Sequence, residues 1–238
     1  AHKMKGFFES LVRKIALDVE EIKDTDLGRK IATFVERSFM KSLKESLRGV
    51  YIKGEIPKGP MVLAMNHHSY FDGHLLGFLA KLEGQKFNIL VLEENLKAFP
   101  VLKLVGALEA TRLREALKRL KMGEWVVIFP EGKLYYPGPL GPLKRGAVWL
   151  ARKAGVPILP IACRVAVRGF EHPEAFLLVY PPISPDEDLE RVLGGALREL
   201  DEILRNTHPR EIPEGFREIL KGRRSLDERM SPLAKLIR

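Results

Sequence analysis

The chain has 238 residues and a mass of 27.0 kDa, which fits one large domain. Hydrophobic residues make up 45% and charged residues 30%, proportions of a globular protein that exclude wholesale disorder and a fibrous fold. The net charge of +9 favours an anionic partner, and the scarcity of Asn and Gln, four and one, is typical of proteins from heat-loving organisms.

The first two predicted elements are helices. Between Phe7 and Ile22, apolar residues recur at helical spacing with charged residues on the other side, which predicts an amphipathic helix that either lies in a membrane surface or packs on the domain. A second helical pattern runs over 25–47 and stops at Gly49. We expect no secretory signal and no spanning helix, since no apolar stretch approaches the roughly 20 residues that spanning requires.

From residue 50 onward, short apolar runs alternate with helical patterns, which is typical of a mostly parallel sheet covered by helices. Six strands are predicted, at 50–53, 61–65, 88–92, 125–129, 158–162 and 176–180. Further helices are predicted at 73–82, 95–105, 112–122, 145–154 and 187–205. The predicted fold class is therefore α/β, with a mostly parallel central sheet flanked by helices and preceded by an N-terminal amphipathic helical pair.

The first candidate site follows the second predicted strand. Asn66, His67 and His68 come directly after that strand, and Asp72 can cap a helix that begins at Gly73. Because ligands bind at the carboxyl ends of strands in open α/β sheets, His67 can serve there as a general base oriented by Asp72. The two histidines can equally be loop residues beside a helix cap. No zinc site is expected, since the chain has no H-E-x-x-H spacing and a single cysteine.

Residues 112–153 carry ten basic and three acidic side chains, a local charge of +7. Nucleic acid, an anionic membrane and a phosphorylated small molecule would each suit this charge, and so would a simply solvated helix face. The strand at 125–129 ends in the sequence FPEG, whose Glu131 either belongs to a site or forms an ion pair. The Pro- and Gly-rich loop at 135–142 breaks any regular element.

These segments resemble the glycerolipid acyltransferase family, which includes the 1-acylglycerol-3-phosphate acyltransferases. The family's N-H-x-x-x-x-D motif is matched by Asn66, His67 and Asp72, and its F-P-E-G motif by residues 129–132. An apolar V-P-[IV]-x-P run is matched within 156–161.

The family's remaining motif, a glycine followed six residues later by an arginine, is matched loosely by Gly106 and Arg112. The four motifs occur in the family's order between residues 50 and 180, over half of the chain. Relatives usually have Thr or Ser where this chain has Lys133, and an apolar or aromatic residue where it has Glu109. Both positions belong to the acceptor side of the family's site, so the reaction type is better indicated than the acceptor.

The resemblance implies that His67 removes a proton from an acceptor hydroxyl, which attacks an acyl thioester directly, while Asp72 holds the imidazole. It implies substrate-binding roles for Asn66, Arg112, Glu131, Gly132, Lys144 and Arg145. Among these, the arginine at 112 would hold the acceptor phosphate with help from the two later cations, because a guanidinium bonds phosphate oxygens in pairs. Glu131 and Gly132 would shape the acceptor pocket, with Glu131 bonding a hydroxyl or a cation.

The expected function is transfer of a fatty acyl group from acyl carrier protein or coenzyme A to lysophosphatidic acid, giving phosphatidic acid for phospholipid biosynthesis. The thioester is a co-substrate, and no cofactor or metal is expected. Another lysolipid or glycolipid acceptor, or a thioesterase or lysophospholipase that uses the same His-Asp pair, remains open. A nucleic-acid partner is not expected, because interleaved aromatics and zinc spacings are missing.

The predicted organisation is a single domain with three parts. Residues 1–48 form a helical segment for membrane association, 49–208 the α/β acyltransferase core, and 209–238 a basic, helical C-terminal tail that packs on the domain or lies on a membrane. An enzyme that acts on acyl chains without a spanning helix must reach the bilayer from the water side. We therefore expect a peripheral protein at the cytoplasmic face of the cell membrane.

Overall fold

The computed structural model describes residues 18–237, and these contain one eight-stranded sheet. The strands are β1 (Gly49–Lys53), β2 (Val62–Met65), β3 (Phe87–Val91), β4 (Ala107–Glu109), β5 (Trp125–Ile128), β6 (Ile158–Ala166), β7 (Glu174–Val179) and β8 (Arg217–Lys221). Their order across the sheet is β4-β3-β5-β2-β6-β7-β1-β8. All neighbours pair in parallel except β6 with β7 and β1 with β8, so the predicted mostly parallel α/β fold is confirmed.

The described helices precede, connect and follow these strands. They are α1 (Val19–Ile22), α2 (Asp26–Ser46), α3 (Asp72–Leu82), α4 (Glu93–Ala98), α5 (Leu113–Lys121), α6 (Gly146–Ala154), α7 (Leu189–Asn206) and α8 (Leu226–Ala234), with a 3₁₀ helix at Pro100–Val105. Of the predicted helix between Phe7 and Ile22, only its last turn falls within the described residues. Among the helices of the described part, none combines the length and apolar character needed to cross a bilayer.

The core lies on both faces of the sheet because side chains alternate along each strand. In β2, Leu63 and Met65 pack with residues of α2 and α3, whereas Val62 and Ala64 pack with residues of α5, α6 and α7. All four β2 side chains are buried, which explains why this strand reads as an unbroken apolar run.

Three elements differ from the sequence-based expectation. The helix predicted at 95–105 is α4 followed by a 3₁₀ helix, because Pro100 cannot continue an α-helix and forces Phe99 out of helical geometry. Strand β4 was not predicted, because its three residues are too few to show the apolar pattern of a strand. The C-terminal tail is not helical throughout, since β8 pairs with β1 and extends the sheet before α8 begins.

The chain direction defines one functional edge of the sheet. Strands β2 to β6 run in parallel, so their carboxyl ends meet at one edge, which we call the carboxyl rim. The segments after Met65, Val91, Ile128 and Ala166 leave the sheet there.

Candidate active site

The loop that follows β2 carries His67 to the carboxyl rim and against Asp72, the first residue of α3. The imidazole Nδ1 lies 2.7 Å from Asp72 Oδ2, and a quarter of the His67 side chain is exposed. A carboxylate partner fixes the proton on Nδ1, so the lone pair of Nε2 is available to accept another proton. The predicted pair is therefore assembled with the geometry of a general base and its orienting carboxylate.

Asp72 is completely buried, and its carboxylate is held by several donors. Besides the imidazole, Oδ2 accepts the backbone N–H groups of His68 at 2.8 Å and Ser69 at 2.9 Å. The expectation that Asp72 caps a helix beginning at Gly73 is wrong, because the helix already includes Asp72 and the carboxylate turns back onto the loop before it. Asp72 thereby fixes both the loop and the imidazole.

Asn66 was expected to contact substrate, but both ends of its amide bond the backbone of Cys163 on β6. Its Nδ2 donates to the Cys163 carbonyl at 3.0 Å, and its Oδ1 accepts the Cys163 N–H at 2.7 Å. The side chain is 2% exposed, so it has no free polar atom to offer a ligand. Its geometry is that of a positioning residue that joins the loop between β2 and α3, residues 66–71, to the neighbouring strand. We call this segment the catalytic loop, because it carries the candidate base.

His68, Asp72 and Cys163 lie close enough together to hold a metal ion, with ligand atoms within 4.8 Å of one another. All three already take part in hydrogen bonds to one another or to the backbone. Burial raises the pKa of the Cys163 thiol well above its ordinary value, so the thiol stays protonated and points at Asp72 Oδ1, 3.8 Å away. Burial also lowers the pKa of His68, whose neutral ring places Nε2 3.0 Å from the Cys163 carbonyl. The cluster fits a hydrogen-bonded support for the carboxylate.

The FPEG turn after β5 packs directly on His67. The ring of Phe129 stacks on the His67 imidazole with centroids 4.2 Å apart. Glu131 is 4% exposed and accepts the N–H of His67 through Oε1 and that of Gly141 through Oε2, both at 2.8 Å. Of the alternatives considered for Glu131, the ion pair is not observed, since its carboxylate forms no salt bridge within the described residues. Glu131 instead ties the backbone of the base to the following loop.

Gly132 is required by the shape of this turn. Its φ of +75° is unfavourable for other residues, and a Cβ there would come within 2.7 Å of the Lys144 side chain. The backbone N–H of Lys144 donates to the Pro130 carbonyl at 2.8 Å. The backbone conformation is what requires glycine here, because the end of the Lys144 side chain is flexible and could move away from a Cβ.

Sequence reasoning missed the residues that hold the Pro- and Gly-rich loop. Tyr135 donates its N–H to the His67 carbonyl at 2.9 Å, which brings the loop against the base. Arg164 on β6 donates to the Gly138 carbonyl at 2.6 Å and forms a two-pronged pair with Asp201 of α7, at 2.7 and 2.9 Å. The sequence did contain a signal for these contacts, namely an arginine, Arg164, at the end of the apolar β6 segment. A charged side chain that is buried with such a strand requires partners.

The predicted phosphate-binding cations lie on the same rim but do not contact the base. Arg112 follows β4, three strand positions from β2, which corresponds to roughly 14 Å at the usual strand spacing. Its side chain is exposed, its Nε is 3.5 Å from Glu109 Oε2, and it borders a cleft of about 380 Å³. Lys144 and Arg145 are exposed just before α6, and the exposed Lys133 lies over the Tyr135 ring.

Comparison with known proteins identifies the family. Residues 47–164 match the family model described as Acyltransferase, and this region contains the His67–Asp72 pair and the FPEG turn. These residues are an acyltransferase-family domain. The resemblance to glycerolipid acyltransferases is confirmed.

Curated relatives of the acyltransferase domain have related names. The chain is 36% identical over 117 residues to 1-acyl-sn-glycerol-3-phosphate acyltransferase of Pseudomonas aeruginosa, covering 45% of each protein. It is 28% identical over 145 residues to a chloroplastic enzyme of that name from Brassica napus, covering 52% of this chain and 41% of the relative. It is 27% identical over 165 residues to N-acylphosphatidylethanolamine synthase of Arabidopsis thaliana, covering 60% and 57%. The chain thus spans about half the length of these relatives.

A solved structure extends the similarity beyond the matched region. The crystal structure of the 1-acyl-sn-glycerophosphate acyltransferase from Thermotoga maritima aligns with a TM-score of 0.55 at 24% identity. The alignment covers 86% of this chain and 90% of the other. At this level of identity, the comparison shows a shared fold.

Proposed function

We propose that this acyltransferase moves a fatty acyl group from a thioester to the free hydroxyl of lysophosphatidic acid and so forms phosphatidic acid. The observation that carries the proposal is the His67–Asp72 pair, whose buried carboxylate bonds Nδ1 and leaves Nε2 as the proton acceptor. The donor is acyl carrier protein or coenzyme A carrying the acyl chain, and the chemistry requires no cofactor.

The pair can support a direct transfer. Nε2 of His67 takes the proton of the acceptor hydroxyl while the hydroxyl oxygen forms a bond to the thioester carbonyl carbon. Asp72 stabilises the resulting imidazolium. The tetrahedral intermediate then breaks its C–S bond, and the imidazolium returns the proton to the leaving sulfur. Cys163 is unsuited to act as a nucleophile, because it is fully buried and its raised pKa keeps it protonated.

Arg112 is our candidate for binding the acceptor phosphate. Its exposed guanidinium borders the cleft that runs alongside β4, and other exposed cations of the cleft, Lys103 and Lys118, would add to the attraction for an anion. We propose supporting contacts for Lys144 and Arg145, whereas Asn66, Glu131 and Gly132 would act by positioning the catalytic loop and the FPEG turn.

A second acceptor is favoured by the Glu109–Arg112 contact. A carboxylate 3.5 Å from the guanidinium would compete with a phosphate for it. One relative is named as a synthase of N-acylphosphatidylethanolamine, so acceptors other than lysophosphatidic acid occur among similar proteins. A different lysolipid or a glycolipid is therefore the alternative acceptor, and hydrolysis of the thioester or of a lysophospholipid by water is the alternative reaction.

The deciding experiment follows thiol release and lipid products with an acyl thioester and lysophosphatidic acid in detergent micelles. We expect phosphatidic acid, and we expect His67→Ala to reduce turnover roughly 10²- to 10⁴-fold, the usual contribution of a general base. The matched control is His208→Ala, since His208 is an exposed histidine outside the site. Thiol release that does not depend on the acceptor would instead indicate a hydrolase.

The phosphate assignment is tested with Arg112→Ala. We expect KM for lysophosphatidic acid to rise by more than KM for the thioester, because only the acceptor carries the phosphate that the guanidinium would bind. Arg114→Ala is the control, since this exposed arginine does not border the cleft. Equal changes in both KM values would contradict the assignment.

We propose a peripheral location at the cytoplasmic face of the cell membrane. Support comes from the lipid nature of the proposed acceptor and from the exposed cations of the carboxyl rim, which suit anionic headgroups. The proposed membrane-association segment, residues 1–48, lies partly outside the described residues, and the amphipathic helix predicted from Phe7 remains an expectation.

A further inference from the structure

The C-terminal helix α8 has an apolar stripe that faces solvent. Leu226, Met230 and Leu233 are 56%, 48% and 59% exposed, and Ile237 just beyond the helix is 83% exposed. Spacings of four, three and four residues put these side chains on one face of a helix. A contiguous stripe of large apolar side chains is a mark of an interaction surface, whereas single exposed residues are common and need no explanation.

The sheet topology locates α8 at the carboxyl rim. β8 pairs antiparallel with β1, β1 parallel with β7, and β7 antiparallel with β6, so β8 runs in the same direction as β2. Lys221, the last residue of β8, pairs with Gly49 at the rim end of β1. Only four residues separate Lys221 from α8, so the helix begins on the edge of the sheet that carries His67.

The N-terminus of α8 is fixed to the body of the protein. Arg48 donates two hydrogen bonds to Glu228, at 3.0 and 2.7 Å, and this contact lowers the pKa of Glu228 to about 2. Ser225 and Glu228 form a capping box, and Ser225 Oγ also accepts the Glu171 N–H at 2.9 Å. These bonds hold one side of the helix against the rim and leave the apolar stripe outward.

Charge and neighbouring side chains indicate what covers the stripe. Arg223, Arg229 and Lys235 are exposed around it and form no salt bridge within the described residues. Loops leaving the carboxyl ends of the central strands add further exposed apolar side chains to the same rim, at Tyr70, Leu134, Tyr136 and Val167. Apolar groups surrounded by cations are the chemistry that binds an anionic lipid surface.

We propose that α8 lies in the surface of an anionic bilayer, with Leu226, Met230 and Leu233 among the acyl chains, and so holds the carboxyl rim against the membrane. The inference rests on the proposed function in one respect, because it assumes that the acceptor lipid comes from the bilayer. With this orientation, the catalytic loop opens toward the bilayer and the opposite rim faces water.

A single-site label tests the contact. Cys163 is buried and is the only cysteine, so Met230→Cys can be labelled selectively with an environment-sensitive fluorophore. The matched control is Met122→Cys, because Met122 is similarly exposed, at 58%, and follows α5 at the opposite rim. Vesicles of phosphatidylglycerol and phosphatidylcholine should shift the emission of the label at 230 to shorter wavelength and leave that at 122 unchanged. Equal responses, or none, would overturn the proposal.

Vesicle sedimentation tests the contribution to binding. We expect Leu226→Ser, Met230→Ser and Leu233→Ser combined to weaken binding roughly 10- to 100-fold, because three apolar side chains no longer enter the bilayer. The control Leu82→Ser with Met122→Ser removes exposed apolar groups from the opposite rim and should bind like the wild type. Unchanged binding by the triple variant would overturn the proposal, as would a label response to protein concentration alone, which indicates a second copy of the chain.

Activity in micelles separates the two proposals. The triple variant should keep wild-type turnover there, because its substitutions lie outside the catalytic loop and the FPEG turn. Loss of vesicle binding with full micellar activity supports the role of α8. Loss of vesicle binding in a protein that transfers no acyl group would leave this inference standing while the proposed function fails.

Discussion

At the residue scale, the two ring nitrogens of His67 have different environments. Nδ1 faces the buried carboxylate of Asp72, whereas the partly exposed side chain presents Nε2 at the rim. The carboxylate can only accept hydrogen bonds, so it selects the tautomer that keeps Nε2 basic. The proposed role of the histidine as a general base therefore depends on a second residue that need not touch the substrate.

Asp72→Asn tests this dependence. We expect turnover to fall roughly 10²- to 10⁴-fold, because an amide that donates to Nδ1 stabilises the wrong tautomer and cannot stabilise the imidazolium. Steady-state kinetics should be compared with Asp188→Asn, a change at the exposed cap of α7. Undiminished activity in Asp72→Asn would contradict the orienting role.

The acid stability of the protein should depend on partly buried histidines. Burial lowers the pKa of His74 below its ordinary value of 6.5, so below about pH 6.5 the unfolded chain takes up the proton more readily than the folded one. We expect the free energy of unfolding to fall with decreasing pH in that range, by at most about 1.4 kcal/mol per pH unit for this histidine.

The measurement is the thermal midpoint between about pH 7 and pH 5, the range in which an ordinary histidine titrates. His74→Gln should reduce the slope, and a residual slope should remain because burial lowers the pKa of His68 in the same direction. A slope that is identical in the variant would show that His74 does not contribute.

At the element scale, the FPEG turn and the loop at 135–142 act as one support for the base. Glu131 bonds the backbone of both the catalytic loop and Gly141, and Arg164 bonds Gly138 from the neighbouring strand. Each contact satisfies a polar group in a buried region, where an unmade hydrogen bond costs about 1 to 3 kcal/mol. The position of His67 is therefore set by elements that are distant along the chain.

Glu131→Gln should reveal this support, because one of its two acceptor oxygens becomes a donor that faces an N–H group. We expect the protein to lose about 1 to 3 kcal/mol of stability and turnover to fall roughly 10- to 100-fold through misplacement of the base. Denaturant unfolding and steady-state kinetics measure the two effects. The control is Glu83→Gln at the exposed end of α3, and a stability loss without any change in turnover would contradict the positioning role.

At the whole-molecule scale, composition and ion pairing favour heat stability. Four Asn and one Gln in 238 residues leave few thermolabile amides. Arg48 joins Glu174 and Glu228, and Arg168 also bonds Glu174, so the charges at the rim form a network and not isolated pairs. Ion-pair networks contribute relatively more to stability at high temperature, since the free-energy cost of removing charged groups from water falls.

We expect a melting midpoint at neutral pH above about 70 °C, compared with about 45 to 65 °C for domains of mesophiles. Differential scanning calorimetry at low and high salt measures both the midpoint and its dependence on charge. A midpoint within the mesophile range would contradict the expectation of a heat-loving source.

The sequence was most informative where the determinants are local. His67 and Asp72 are five residues apart across one turn, and the FPEG residues are consecutive, so both could be matched to motifs of the family that the chain resembles. Helical periodicity likewise predicted α2, α3, α5, α6 and α7. It missed β8, because the REILK sequence lacks the alternation of charged and apolar residues that marks a half-exposed strand, and only the partner strand β1 decides that this segment pairs.

The sequence by itself determined the fold class and, through resemblance to a known family, the acyltransferase motifs, and it singled out His67 and Asp72 as the candidate base and its carboxylate, because these depend on periodicity and short spacings. Only the tertiary structure decided that Cys163 and Glu131 support the catalytic loop, that the Asn66 amide bonds the backbone of Cys163, and that α8 lies at the carboxyl rim. The physical reason is that these relations follow from strand order and direction. Contacts between residues 64 to 97 positions apart leave no periodic trace in the chain, and they form only when the sheet brings the segments together.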